Sequence, residues 1–254
     1  MAEITVTLPK GFKKLTPDAK KASRLILAVS GREKQGKTHF SLTVPGPIAY
    51  FDLDIGTEGV VEKFVNNGKV IYHNDYNYHI LKDIRSKGPI DPTPYVEMWE
   101  GLKSDFVAVL ESNQVKSIIF DTATEIWELL RMSRFGKLTQ VMPHNYGPVN
   151  AEYRGLLRLA YMSNKNLVLL HKMKAEYVND KRTGHFERSG FSDTGFMVQV
   201  NVRCWRRRED GVFGLTVEDC RQNPDMSGME LESPMCDFPT VAAMVTETDT
   251  EVWK

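Results

Sequence analysis

Cysteine is scarce in this sequence and net charge is absent. The three cysteines, Cys204, Cys220 and Cys236, are odd in number and form no C-x-x-C pair, which fits a reducing compartment better than a disulfide framework. Lysine plus arginine equals aspartate plus glutamate at 33 each, so no overall field steers the molecule towards nucleic acid, and any such affinity must come from local patches. No apolar run approaches the length that crosses a bilayer, and the opening MAEITVTLPKGFKK has no signal-peptide core; a cytoplasmic protein without a membrane partner is expected. Histidine is thin too: His73 and His79 supply only two ligands on a polar segment, so they are read as surface or packing residues and no zinc is assigned. No internal repeat or low-complexity tract is visible.

What the chain does have is 254 residues at 41% apolar, enough for one sizeable core with appendages. Residues 1–24 suggest a strand, Ile4 to Leu8, and a lysine-rich arm. From Leu25 short apolar runs alternate with amphipathic stretches. Strands are predicted at Leu25–Val29, Ile48–Phe51, Val70–Tyr72, Ser117–Phe120 and Leu167–Leu170, and helices from Lys37, over Glu58–Asn67, Tyr95–Leu110 and Glu125–Phe135, and near 150–163. That rhythm predicts an α/β fold with a mostly parallel sheet flanked by helices. It stops after His171: residues 196–204 alternate apolar and polar, Asp210-Gly211 is a turn signal and Val212–Val217 returns, which predicts a late antiparallel hairpin. The expected division is an arm over 1–24, a core over 25–219 and a C-terminal extension over 220–254, frayed beyond Val245.

The most specific signal lies between the first strand and the first helix. Gly31-Arg32-Glu33-Lys34-Gln35-Gly36-Lys37-Thr38 fits G-x-x-x-x-G-K-S/T throughout, a pattern that a chain of this length meets by chance about 1% of the time. The glycines let backbone N–H groups wrap a phosphate, Lys37 brings charge to the outer phosphates, and Thr38 offers a hydroxyl to Mg²⁺. His39 completes the stretch expected to touch the nucleotide. A carboxylate at the end of a neighbouring buried strand is needed to hold the metal with Thr38, and Asp121 closes Ser117-Ile-Ile-Phe-Asp121; it can also cap the following helix. Three carboxylates compete to orient the attacking water: Asp54, Glu58 and Glu125. Position 122, directly after the strand-end aspartate, is Thr122, which puts Asp54 first, Glu58 second and Glu125 last. His171, at the end of the fifth strand, stands where a side chain could touch the γ-phosphate and report its loss.

Taken in order, Gly31 to Thr38, Ile48-Ala-Tyr-Phe-Asp-Leu-Asp-Ile-Gly-Thr-Glu58, Ile118-Ile-Phe-Asp-Thr-Ala-Thr-Glu125 and Leu167-Val-Leu-Leu-His-Lys172 resemble the RecA-like ATPases. The likeness is strongest to compact phage ATPases of the AAA nucleotide-binding and single-strand annealing kind, and it spans roughly residues 24–205. It implies ATP and Mg²⁺ as cofactors and carries the catalytic carboxylate of RecA-like proteins over to Asp54, one methylene shorter than their glutamate. Recombinases commonly have glutamine where this chain has His171, whereas the phage ATPases often have histidine.

The resemblance also places single-strand-binding loops near 136–148 and 173–195. The second holds Lys174, Tyr177, Lys181, Arg182, His185, Phe186, Arg188 and Phe191, charges for phosphates and faces for bases. Arg206, Arg207 and Arg208 could contact DNA or reach ATP on a neighbouring subunit. The reading is a DNA-stimulated ATPase that forms rings or filaments on single strands in phage recombination or annealing, with recombination or single-strand-binding proteins as further partners. A small-molecule kinase, or an ATP-dependent assembly or packaging accessory, are the alternatives. A GTPase is disfavoured because Ser163-Asn-Lys-Asn166 lacks the final aspartate of N-K-x-D.

Overall fold

A parallel sheet covered on both faces has no polar side, so its strands read as continuous apolar runs. In the computed structural model, which describes residues 24–54, 56–76, 93–136 and 141–254, β1 (Ile26–Ser30), β2 (Ile48–Asp52), β4 (Ser117–Asp121) and β5 (Asn166–His171) are buried at every position. They pair in parallel in the order β2-β4-β5-β1. β3 (Ile71–Asp75) lies parallel beyond β2, and β8 (Val200–Arg206) runs parallel to β1 on the opposite side. The late hairpin is there: β9 (Phe213–Cys220) returns antiparallel to β8, and β10 (Glu230–Glu232) pairs antiparallel with β9 to complete an eight-stranded sheet.

Successive strand residues alternate between the two faces. Ile26, Ala28, Phe51, Ile118, Phe120, Leu167 and Leu169 share one core with the helices α3 (Thr93–Glu111), α4 (Ala123–Phe135) and α5 (Tyr146–Met162). Leu27, Val29, Tyr50, Ile119, Val168 and Leu170 share the other with α1 (Lys37–Ser41) and α7 (Phe238–Thr246), while α2 (Val61–Asn66) packs at its margin. A short helix, α6 (Thr194–Met197), precedes β8. The result is the α/β architecture, helices on both faces of a mostly parallel sheet, that the sequence predicts.

Two expectations change. The segment after 220, expected as an extension beyond the core, packs into the second core, and the backbone N–H of Phe238 donates to the Thr43 hydroxyl at 2.8 Å. Nor does the tail fray at Val245: Trp253 is buried, with its ring centroid 6.1 Å from that of Phe238 and its indole N–H on Thr248. An indole of that size offsets the ordering of a short turn through burial alone. Residues 1–23 of the expected arm, His79 and residues 137–140 of the first expected DNA loop lie outside the described residues.

Directly after β5, β6 (Met173–Val178) and β7 (Lys181–Arg188) form a separate two-stranded antiparallel sheet. Its turn residues Asn179 and Asp180 have φ of 51° and 60°, the left-handed pair that a tight hairpin needs and that asparagine and aspartate tolerate best.

Candidate active site

The motif glycines are required by geometry. Gly36 has φ of 87°, and a Cβ there would stand 3.1 Å from the Phe213 ring, so the turn into α1 admits no other residue without strain. Lys37 curls back, its ammonium donating to the carbonyls of Gly31 at 2.9 Å and Arg32 at 2.8 Å. Burial lowers its pKa. The Gln35 amide oxygen accepts from the Arg32 N–H at 2.7 Å, Glu33 and Lys34 are exposed, and His39 meets Phe64 edge-on at 5.0 Å. Beside Gly36 opens a cavity of about 460 Å³ lined by Gln35, His39, Phe40, Thr43, Phe213 and Pro234.

Because β5 separates β1 from β4, the loop and the acidic strand end are held one strand apart, with Thr38 between them. The Thr38 hydroxyl donates to Asp121 Oδ2 at 3.1 Å, and the Tyr50 hydroxyl donates to the same oxygen. Asp121 is only 4% exposed. Burial drives its pKa up to about 6; the two hydroxyls oppose that rise, while Asp52 and Asp54 add to it. A buried carboxylate whose charge is under-compensated, sharing a hydroxyl with the phosphate loop, is a donor set suited to a hard divalent cation. Thr122 caps α4 by accepting from Glu125 N at 3.2 Å, so the helix-capping role falls to the residue after Asp121.

The candidate bases do not stand alone. Lys172 Nζ lies 3.2 Å from Asp54 Oδ2 and 2.6 Å from Glu125 Oε1, so the structure joins the first-ranked and third-ranked carboxylates on one ammonium; Glu58 is exposed. Asp52 accepts from the Thr57 hydroxyl at 2.7 Å and the Asp54 N–H at 3.1 Å, and lies 3.0 Å from His73 Nε2. His73 in turn stacks on Tyr50, with centroids 5.7 Å apart. Tyr50, His73 and Lys172 therefore belong to the site, although sequence reasoning gives Tyr50 and Lys172 no role and reads His73 as a surface or packing residue. For Lys172 the available signal is its place beside His171 at a strand end.

His171 is fully buried. Its Nδ1 lies 3.0 Å from the Ser189 carbonyl, which can only accept, so Nδ1 carries the proton. Burial pushes its pKa down to about 3 and keeps the ring neutral. Among the described residues Nε2, a bare lone pair, has no hydrogen-bond partner. The Thr124 hydroxyl also donates to Ser189 O, at 3.0 Å, and the next residue, Gly190, has φ of 108° with its Cβ position 3.2 Å from Thr124 Cα. His171 and α4 thus grip the root of the β6–β7 hairpin.

On the hairpin, Lys181 and Arg182 are exposed, Tyr177 is 62% exposed, and Lys174 pairs with Glu187 at 3.2 Å. Phe186 lies 4.6 Å under the Arg32 guanidinium of the phosphate loop and 5.7 Å from that of Arg182. Two residues leave the expected DNA set. Arg188 is drawn inward onto Asn201 Oδ1 at 2.8 Å, and Phe191 is 2% exposed between Trp127 and Tyr153. Of the arginine run, Arg206 lies over Phe213 at 4.9 Å, beside its own chain's cavity, Arg207 is bound to Asp210 and Glu232, and Arg208 is exposed.

Comparison with curated proteins gives no match. Among solved structures, similarity extends to a KaiC-like protein from the hyperthermophilic archaeon Pyrococcus horikoshii OT3, at 13% identity over 82% of this chain and 84% of that one with a TM-score of 0.46. It extends also to the RadB recombinase, at 12% identity over 82% and 86% with a TM-score of 0.45. The family model described as AAA domain matches residues 23–194, a span that takes in the phosphate loop, Asp121 and the hairpin. That is more than half of the sequence, and the chain belongs to the AAA domain family.

Proposed function

We propose that this chain binds and hydrolyses ATP and acts on single-stranded DNA in recombination or annealing, as a phage-type ATPase working in a ring or filament. The observation that carries the DNA half is the hairpin's position: it springs from the end of β5, and its Phe186 stacks under Arg32 of the phosphate loop. A hairpin with exposed Lys181 and Arg182 beside its turn and Phe186 against the nucleotide loop is a means of making turnover depend on DNA.

In this reading Gly31 to Thr38 wrap the phosphates and the cavity beside Gly36 receives the base, with Phe213 as its aromatic wall. Thr38 and Asp121 would hold Mg²⁺, which when bound draws negative charge from the phosphoryl oxygens. Asp54 orients water. Asp54→Asn is expected to keep ATP binding and lower turnover by about 100-fold or more, while Glu125→Gln keeps most activity, measured as phosphate release. The opposite ranking would move the base to the start of α4.

The DNA interaction is tested by Lys181→Ala combined with Arg182→Ala, both solvent-facing. Each cation withdrawn from a DNA phosphate should flatten the log–log salt dependence of single-strand binding by about 0.7, hence about 1.4 for the pair. ATP affinity and basal turnover should persist while stimulation by DNA falls. Fluorescence anisotropy with a labelled oligonucleotide across a salt series measures the slope, and identical slopes for both proteins would remove the hairpin from the DNA site.

A further inference from the structure

We infer that Lys172 is the cation that answers the terminal phosphate of the nucleotide, leaving Asp54 and Glu125 when that phosphate is present and returning to them when it is gone. The inference rests on the ATPase reading and assigns to Lys172 the reporting role that strand-end position suggested for His171. His171 cannot fill it: its one proton is spent on Ser189 O, and the lone pair on buried Nε2 repels a phosphate oxygen instead of donating to it.

Lys172 has what His171 lacks. Its side chain is 40% exposed, it carries three donors on a flexible stem, and it follows the strand end whose register sets His171 beside Ser30, the residue before the phosphate loop, and Leu170 beside Asp121. Two carboxylates hold it in place, 3.2 Å and 2.6 Å away. A terminal phosphate gathers more negative charge than either carboxylate, so it can draw the ammonium across. Departure of the ammonium then lets Asp54 accept a hydrogen bond from water, which couples arrival of the phosphate to assembly of the base. With a diphosphate the pull is missing and the carboxylates stay neutralised. The main chain of Lys172 carries the change outward, because its carbonyl accepts from Ser189 N at 2.8 Å and its N–H donates to Thr124 Oγ1 at 3.0 Å, closing the root of the hairpin.

The test compares Lys172→Met and Lys172→Arg with wild type, titrating each by calorimetry with ADP and with a non-hydrolysable ATP analogue, both with Mg²⁺, and following phosphate release from ATP. Lys172→Met should weaken the ATP analogue about tenfold or more, leave ADP within about threefold and lower turnover about 100-fold; Lys172→Arg should regain the preference for ATP. If Lys172→Met does not fold, because Asp54 and Glu125 repel each other once the ammonium is removed, combining it with Glu125→Gln takes away that repulsion and must show the same loss of discrimination. Equal weakening of both nucleotides, or no change in either, would overturn the inference while leaving the ATPase reading intact. Wild type that binds neither nucleotide would overturn both.

Discussion

Replacing Lys37 by alanine is expected to lower nucleotide affinity at least ~100-fold, about 2.7 kcal/mol, while the melting temperature moves by no more than a few degrees. The two halves of this result have separate causes. In the folded chain the ammonium donates to the part-buried carbonyl of Gly31 and to the exposed carbonyl of Arg32, which water can serve equally well, and its burial already disfavours the charge, as its lowered pKa records. Losing it costs the fold little. A bound triphosphate, by contrast, is deprived of a charge-assisted hydrogen bond to its outer oxygens. Isothermal calorimetry with Mg-ATP decides the matter, and unchanged affinity in a folded variant would remove the loop from the phosphate site.

Asp121→Asn is expected to abolish most turnover, about 10³-fold, and yet to yield a more stable protein. The folded carboxylate titrates near 6 against an ordinary 3.8, so folding takes up a proton between those values and stability is lost as pH rises through them. At about 1.4 kcal/mol per pKa unit, the ionised group costs roughly 3 kcal/mol at neutral pH. Asparagine keeps an oxygen for the hydroxyls of Tyr50 and Thr38 and carries no charge. Without nucleotide the variant should therefore melt several degrees higher than wild type at pH 7.5, and the two should converge below about pH 4. A wild-type melting temperature that is flat from pH 4 to 7 would show the carboxylate to be better compensated than its surroundings indicate. A stable, inactive variant would mean that the buried charge is retained for chemistry, at the expense of the fold.

Much of the fold and the phosphate site is legible in the sequence, for a local reason. Gly31, Gly36, Lys37 and Thr38 are recognisable by their spacing within eight consecutive residues, and apolar runs such as Ser117-Ile-Ile-Phe-Asp121 declare buried parallel strands without knowledge of their neighbours. What stays hidden depends on contacts between distant segments. Nothing near Lys172 shows that β5 will lie between β1 and β4 and carry its ammonium to Asp54 and Glu125. The strand-end place of His171 can be read directly, but its burial comes from the return of the hairpin eighteen residues later at Ser189. Phe191 and Arg188 look like the rest of a basic, aromatic loop until α4 and α5 enclose the ring and Asn201 of β8 takes the guanidinium, and Trp253 looks like tail because its partner Phe238 sits across a turn.

Among the described residues the β6–β7 hairpin shares no ladder hydrogen bond with the eight-stranded sheet; it is tied down at its base, where Lys172 and Ser189 meet and Arg188 reaches Asn201, and by Arg32 stacked on Phe186. It is an exchangeable part. Lengthening or replacing it leaves both hydrophobic cores untouched, and the entropy of closing a longer loop grows only logarithmically. Descendants of one engine could thus acquire new cargo by trading a single surface module, with the nucleotide machinery inherited whole and the divergence among them concentrated between Met173 and Arg188.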